Sequence, residues 1–208
     1  MNIETIVVGE FQVNCFLLWG AERRAIVVDP GSDADAIVER LATNRLEVAA
    51  YAMTHGHVDH LSALAELHRL HPAPIGMHPA DTAWAFSEAN SMPPWYDMPR
   101  RPASIAREFE DGQDWTDGDL NYRIITTPGH TPGGVCLFFK GENVLLSGDT
   151  LFAGSVGRTD LPGGHSRTLS ASLKRLAALP DEVRVYPGHG PHTTIAHEKR
   201  TNFFMQAP

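Results

Sequence analysis

Thr54-His55-Gly56-His57-Val58-Asp59-His60 sets three imidazoles and a carboxylate within the six positions 55–60. In an extended segment His55 and His57 lie two apart and point to one side. Asp59 and His60 open the next periodic segment and aim at a neighbouring point. Neutral imidazole and carboxylate are the ligands of zinc and similar divalent ions, and packing offers no reason for such a cluster. Farther along, His130, Asp149 and His189 each stand in a glycine-containing turn. Their glycines let the backbone bend sharply beside an ion, and an aspartate has two oxygens with which to bridge two ions. Together the seven side chains are enough to hold two metal ions with a hydroxide between them.

Outward from this stretch the chain alternates strands and helices. Apolar, β-rich runs predict strands at 5–8, 13–19, 25–28 and 48–53, the last ending at the histidine cluster. Residues 33–42 read as a helix with Ile37, Val38 and Leu41 on one face, and 59–70 as another with Leu61, Leu64, Ala65 and Leu67. A strand at 74–78 and a helix at 81–89 follow. Residues 90–102 carry Pro93, Pro94, Pro99 and Pro102 beside Trp95, Tyr96, Arg100 and Arg101, the pattern of a long irregular loop: either a lid or a surface excursion. In the second half, 122–126 runs into Pro128-Gly129-His130, a hairpin over 135–140 and 143–146 runs into Ser147-Gly148-Asp149, a helix spans 168–179, and 183–186 runs into Pro187-Gly188-His189. The later ligand candidates therefore follow strand ends, where a rigid scaffold places side chains well.

A length of 208 residues suits one domain over 1–208. The net charge of -8 and the lack of any basic stripe argue against a nucleic-acid partner. Met1-Asn2-Ile3-Glu4 is no basic leader, and the apolar stretch 11–19 is interrupted by Gln12 and Asn14, so neither a signal peptide nor a membrane span is expected. Cys15 and Cys136 lie in strand-like surroundings and read as reduced core thiols of a cytoplasmic protein. His68, His71, His78, His192 and His197 stand apart from the cluster, and His165, in a glycine-flanked turn, is left outside the ligand set. No Gly-x-Ser-x-Gly elbow is present.

Taken in order, Thr-His-Gly-His-Val-Asp-His, Pro-Gly-His, Gly-Asp and Pro-Gly-His resemble the metallo-β-lactamase superfamily, over Val7 to about Met205. Within it, Gly157-Arg158-Thr159-Asp160-Leu161-Pro162-Gly163-Gly164 and Tyr186-Pro187-Gly188-His189-Gly190-Pro191 resemble the short glyoxalase II-like hydrolases. The resemblance implies an α/β, four-layered αββα sandwich with the site at one edge. It implies that His55, His57 and His130 hold one ion, that Asp59, His60 and His189 hold the second, and that Asp149 bridges them. It further implies a metal-dependent thioesterase acting on a small acyl thioester of the hydroxyacylglutathione kind. Two divalent ions, zinc first and iron or manganese as alternatives, would share a hydroxide about 3.5–4 Å from ion to ion. Asp59 would accept a hydrogen bond from that hydroxide and aim it, a catalytic role besides ligation.

The match also has departures. A typical glyoxalase II is longer, with a C-terminal helical domain that supplies basic residues for glutathione. Here Phe203 stands in place of a Pro in the closing motif, and Gln206 where the longer enzymes have an Arg. Arg158 is the nearby cation, either to hold a substrate carboxylate or to pair with Asp160 or Asp149. The chief rival is a persulfide dioxygenase, an oxidoreductase with one iron on His55, His130 and Asp149. Those enzymes usually set their last His in Pro-Ala-His-Asp rather than Pro-Gly-His-Gly-Pro, which favours the hydrolase. A lactonase on the same centre is a further alternative.

Overall fold

Strand residues facing either way are buried in this chain, which requires that each sheet be covered on both sides. The structure, a computed structural model, describes residues 1–206. The first sheet is built from β1 (Asn2–Val8), β2 (Val13–Trp19), β3 (Arg24–Val28), β4 (Glu47–Ala52), β5 (Ile75–Met77) and β6 (Arg107–Glu108), in that spatial order. Its first three strands are antiparallel neighbours, and β3 through β6 run parallel. The second sheet contains β7 (Asp114–Asp117), β8 (Leu120–Thr126), β9 (Val135–Phe139), β10 (Val144–Gly148), β13 (Arg184–Pro187) and β14 (Thr193–Thr194), ordered β14-β13-β10-β9-β8-β7. Its β10–β13 pair is parallel and the others antiparallel. A small ribbon of β11 (Leu151–Phe152) and β12 (Ser155–Val156) stands apart.

The period of two in a strand sorts side chains into three cores. On β2, Cys15 and Leu17 pack outward with Ile37 and Leu41 of α1 (Ala34–Thr43) and Leu64 and Leu67 of α3 (Leu64–Leu70). Phe16 and Leu18 face the other way, into a core shared with Leu137, Phe139, Val144 and Leu146 of the second sheet. Cys136, Phe138 and Leu145 alternate with these and meet Leu169, Leu173 and Leu176 of α5 (Ser166–Ala177) and Ile195 of α6 (Ile195–Thr201). Helix, sheet, sheet, helix is the αββα order that the resemblance implied. Both cysteines are buried and free, in separate cores. Among the described residues no helix is long and apolar enough to cross a membrane.

Local differences from the sequence reading have physical causes. The helix expected over 59–70 is two, α2 (Val58–Leu61) and α3. The Ala63 N–H donates to Pro30 O at 3.1 Å instead of continuing the helical ladder. Gly31 lets α2 press in, since a Cβ there would sit 1.8 Å from the Asp59 carbonyl oxygen. The helix expected over 81–89 shrinks to α4 (Pro79–Thr82), started by His78 as cap and Pro79 in the first turn, with a 3₁₀ turn at Glu88–Asn90. The polar strand β7 escaped notice because Asp114–Asp117 has no apolar run; pairing with β8 makes it a strand.

Five strand ends converge on one edge: β3 leads to Asp29, β4 to the 54–60 loop, β8 to His130, β10 to Asp149 and β13 to His189. The two sheets are stitched there by Val135 N–H to Thr54 O at 2.8 Å and Asn14 N–H to Gly188 O at 2.7 Å.

Candidate metal centre

Loop 54–60 is anchored before any ion enters. Asp29 accepts from Thr54 N–H at 2.8 Å and from the Thr54 hydroxyl at 2.5 Å. Asn90 accepts from Val58 N–H at 3.1 Å and donates to Gly56 O at 2.7 Å. Asp81, wholly buried, accepts from Gly56 N–H at 2.9 Å, from the Thr131 hydroxyl at 2.7 Å and from Gly133 N–H at 2.7 Å. That one carboxylate therefore joins the loop of His57 to the loop of His130.

The six predicted His and Asp ligands other than Asp149 fall into two groups of three, His55/His57/His130 and Asp59/His60/His189, each with ligand atoms within 4.8 Å of one another. His57 Nδ1 lies 2.9 Å from His130 Nε2. His60 Nε2 lies 3.3 Å from His189 Nε2, and Asp59 Oδ2 is 3.5 Å from the latter. Asp149 stands between the groups: Oδ1 is 3.5 Å from His60 Nε2, and Oδ2 is 3.5 Å from both His130 Nε2 and His189 Nε2. Two buried atoms at the centre, His55 Nε2 and Asp149 Oδ1, have no hydrogen-bond partner. Orphaned buried acceptors are costly, and a cation among them relieves that cost, so these residues fit a metal.

Outer contacts aim the rings. The Nδ1 atoms of His60, His130 and His189 lie 3.0, 2.7 and 2.9 Å from Asp29 Oδ2, Arg158 O and Phe11 O. Donating there leaves each Nε2 lone pair directed at the centre. Asp29, His55 and His60 also meet the distance test for an ion. However, both Asp29 oxygens already accept from Thr54, and His60 turns its Nδ1 rather than its Nε2 to Asp29.

Electrostatics set His55, His57 and Asp59 in their ligating forms, while His60 must give up a proton. Burial pushes His55 well down, and burial with His130 pushes His57 down to about 3, so both are neutral. Burial alone would raise Asp59, but His60 and His189 outweigh it and hold the carboxyl at about 2. Burial lowers His60, while Asp149, Asp59 and Asp29 more than reverse this and bring it to about 10. An entering ion displaces that proton.

Above the cluster lies a cavity of about 460 Å³. Its floor includes His57, Asp59, His130, Asp149 and His189; Phe11, Phe152, Val156 and Leu161 form apolar walls. The 90–102 loop contributes at its edge: Met92 lines the cavity, and Trp95 and Tyr96 pack on Phe11 with ring centroids 5.8 and 5.2 Å away. Arg158 reaches the rim, but its guanidinium is engaged by Asp160 through two hydrogen bonds of 2.7 Å, the internal pairing rather than an open anion fork. His165 accepts from Thr168 N–H as the cap of α5, outside the cluster. Asp29, Asp81 and Asn90 were missed as functional positions; only Asp29, directly after an apolar strand in Asp-Pro-Gly, carried a local sign.

A His/Asp cluster at the converging strand ends of an αββα sandwich defines a metallo-hydrolase scaffold. A family profile described as the metallo-beta-lactamase superfamily matches residues 8–189, and the chain belongs to that superfamily. It is 33% identical to the hydroxyacylglutathione hydrolase GloC of Haemophilus influenzae, covering 100% of this chain and 99% of the relative. It is 32% identical to the probable metallo-hydrolase YqgX of Bacillus subtilis, over 99% of this chain and 98% of that one. Among solved structures it is similar to the BLEG-1 B3 metallo-beta-lactamase, with a TM-score of 0.93 and 33% identity, covering 99% of this chain and 100% of the other. TTHA1623 in a di-iron-bound form matches with a TM-score of 0.86 and 37% identity, over 97% and 99% of the two chains. ETHE1 from Myxococcus xanthus matches with a TM-score of 0.81 and 27% identity, over 98% and 84%.

Proposed function

We propose that the protein is a binuclear metallohydrolase that cleaves small acyl thioesters in the cytoplasm. The observation that carries the reading is the pair of three-ligand groups with Asp149 between them on the floor of an apolar-walled cavity. His55, His57 and His130 would hold one ion, Asp59, His60 and His189 the other, and Asp149 both. When bound, the ions supply a nucleophilic hydroxide at neutral pH and polarise the substrate carbonyl. Asp59, kept ionised at the floor, accepts a hydrogen bond from the attacking group and orients it. Phe11, Phe152 and Val156 exclude bulk water and steady the acyl thioester above the floor. A thiolate leaves without a proton, so a strong general acid is unnecessary. The likeness to a hydroxyacylglutathione hydrolase supports a thioester substrate.

We assign zinc as the resident metal on the nitrogen-rich donor set, with iron the alternative that the di-iron relative puts forward. Two unpaired, buried thiols suit a reducing compartment. One rival stays, the oxidoreductase that the sequence resemblance raised, with a single iron on His55, His130 and Asp149. The deciding experiment measures thiol release from a thioester panel with metal-quantified protein. Turnover with two ions per chain is expected. One iron per chain with oxygen uptake on a persulfide, and silence on thioesters, would replace the hydrolase with the rival.

A further inference from the structure

A second cavity, of about 410 Å³, borders the first, and His57, Met92 and Leu161 line both. Its own walls include Trp84, Ala89, Pro132 and Pro162. The shared lining makes the two hollows adjacent lobes of the site. One lobe lies on the His189 side, where Phe152 and the His189 ring are 6.1 Å apart. The other lies beyond His57, whose ring is 5.5 Å from that of Trp84. The waist between them, at Met92 and Leu161, sits beside the ligand cluster.

Among the described residues Arg158 is the only lysine or arginine lining either lobe, and Asp160 already engages its charge. A glutathione arm would bring two carboxylates, one beside its own ammonium, with no free lysine or arginine in either lobe to meet the other, and burying an unpaired charge is expensive. An uncharged arm faces no such cost, and each lobe has apolar surface to cover it.

Resting on the thioesterase reading, we propose that the cleft takes a thioester with two uncharged arms, one in each lobe, and that an apolar chain of one arm lies against Trp84 in the lobe beyond His57. The carbonyl then falls at the waist, over the ligand cluster. Specificity resides in Trp84, Met92, Leu161 and Pro162 rather than in a cationic clamp.

The test compares acetyl, butanoyl and octanoyl thioesters of N-acetylcysteamine with the same acyl groups on glutathione, using metal-loaded protein. Burial in the lobe predicts that kcat/KM rises about fourfold for each methylene added until the lobe is full. It predicts that glutathione thioesters trail the neutral ones by at least about tenfold. Trp84→Ala should flatten the octanoyl-to-acetyl ratio, a readout that general loss of metal or activity does not imitate. Independently of hydrolysis, a non-cleavable octanoyl thioether of N-acetylcysteamine should shift tryptophan emission of metal-free protein, and Trp84→Phe should abolish the shift. Preference for glutathione thioesters without chain-length dependence would overturn the two-arm proposal and leave the thioesterase reading standing. Silence on every thioester would remove both.

Discussion

Asp29 and His60 form a buried pair, with Asp29 Oδ2 3.0 Å from His60 Nδ1 and neither side chain more than 1% exposed. The aspartate is thereby the device that turns His60 Nε2 toward Asp149 and His189. Asp29→Asn keeps the shape but reverses one polarity. With its remaining oxygen on Thr54 N–H, the new amide nitrogen faces His60 Nδ1, and the ring must move its proton to Nε2. Metal affinity at the Asp59/His60/His189 group should fall about 10–100-fold. Metal analysis after gel filtration should find about one ion fewer per chain, with the His55/His57/His130 group still filled.

Asp81 should matter for folding before it matters for chemistry. Its three donors come from loops on either side of the site. Asp81→Ala strands two buried amides and a hydroxyl, and is expected to cost about 3 kcal/mol in urea denaturation of the metal-free protein. Asp81→Asn keeps part of this and should cost about 1 kcal/mol.

His57 sits on a loop and is only half-buried, so its removal should spare the fold. His57→Ala is expected to lower turnover more than about a hundredfold and to reduce metal content, with an unchanged circular dichroism spectrum. In the unaltered protein a chelator should abolish activity and two equivalents of zinc should restore it. At a free zinc level a hundred times the dissociation constant, each filled site should stabilise the fold by about 2.7 kcal/mol, read as a thermal shift that His57→Ala reduces.

Arg158 offers the site its backbone oxygen, through His130 Nδ1, while its exposed side chain belongs to Asp160. Arg158→Ala is therefore expected to change kcat/KM on a neutral thioester by less than about threefold and stability by under about 0.5 kcal/mol. A steady-state comparison alongside a melting curve checks both.

How much of this was readable in the chain follows from the range over which each residue acts. Ligands at 55, 57, 59 and 60 announce themselves because their spacing is local, and strand 13–19 matches β2 because all its residues but Asn14 are apolar. The four-layer order was carried by motif resemblance, and alternation such as Leu17 against Leu18 explains it afterwards. By contrast, Asp81 serves partners 25 and 52 positions away, and no local pattern marks such an acceptor. The break between α2 and α3 was equally hidden, since the carbonyl that captures the Ala63 amide belongs to Pro30. Arg158 and Asp160 lie close enough in sequence for their pairing to be foreseen as one option, but which option holds depends on the walls around them.

His57 meets His130 across 73 positions, and His60 meets His189 across 129. Any cation seated there fastens distant parts of the polypeptide into closed circuits, as a reversible rivet would. Loss of the ion is consequently expected to leave this protein more open to proteases: starvation for it should thin the population of molecules, and replenishment alone should not bring back those already degraded.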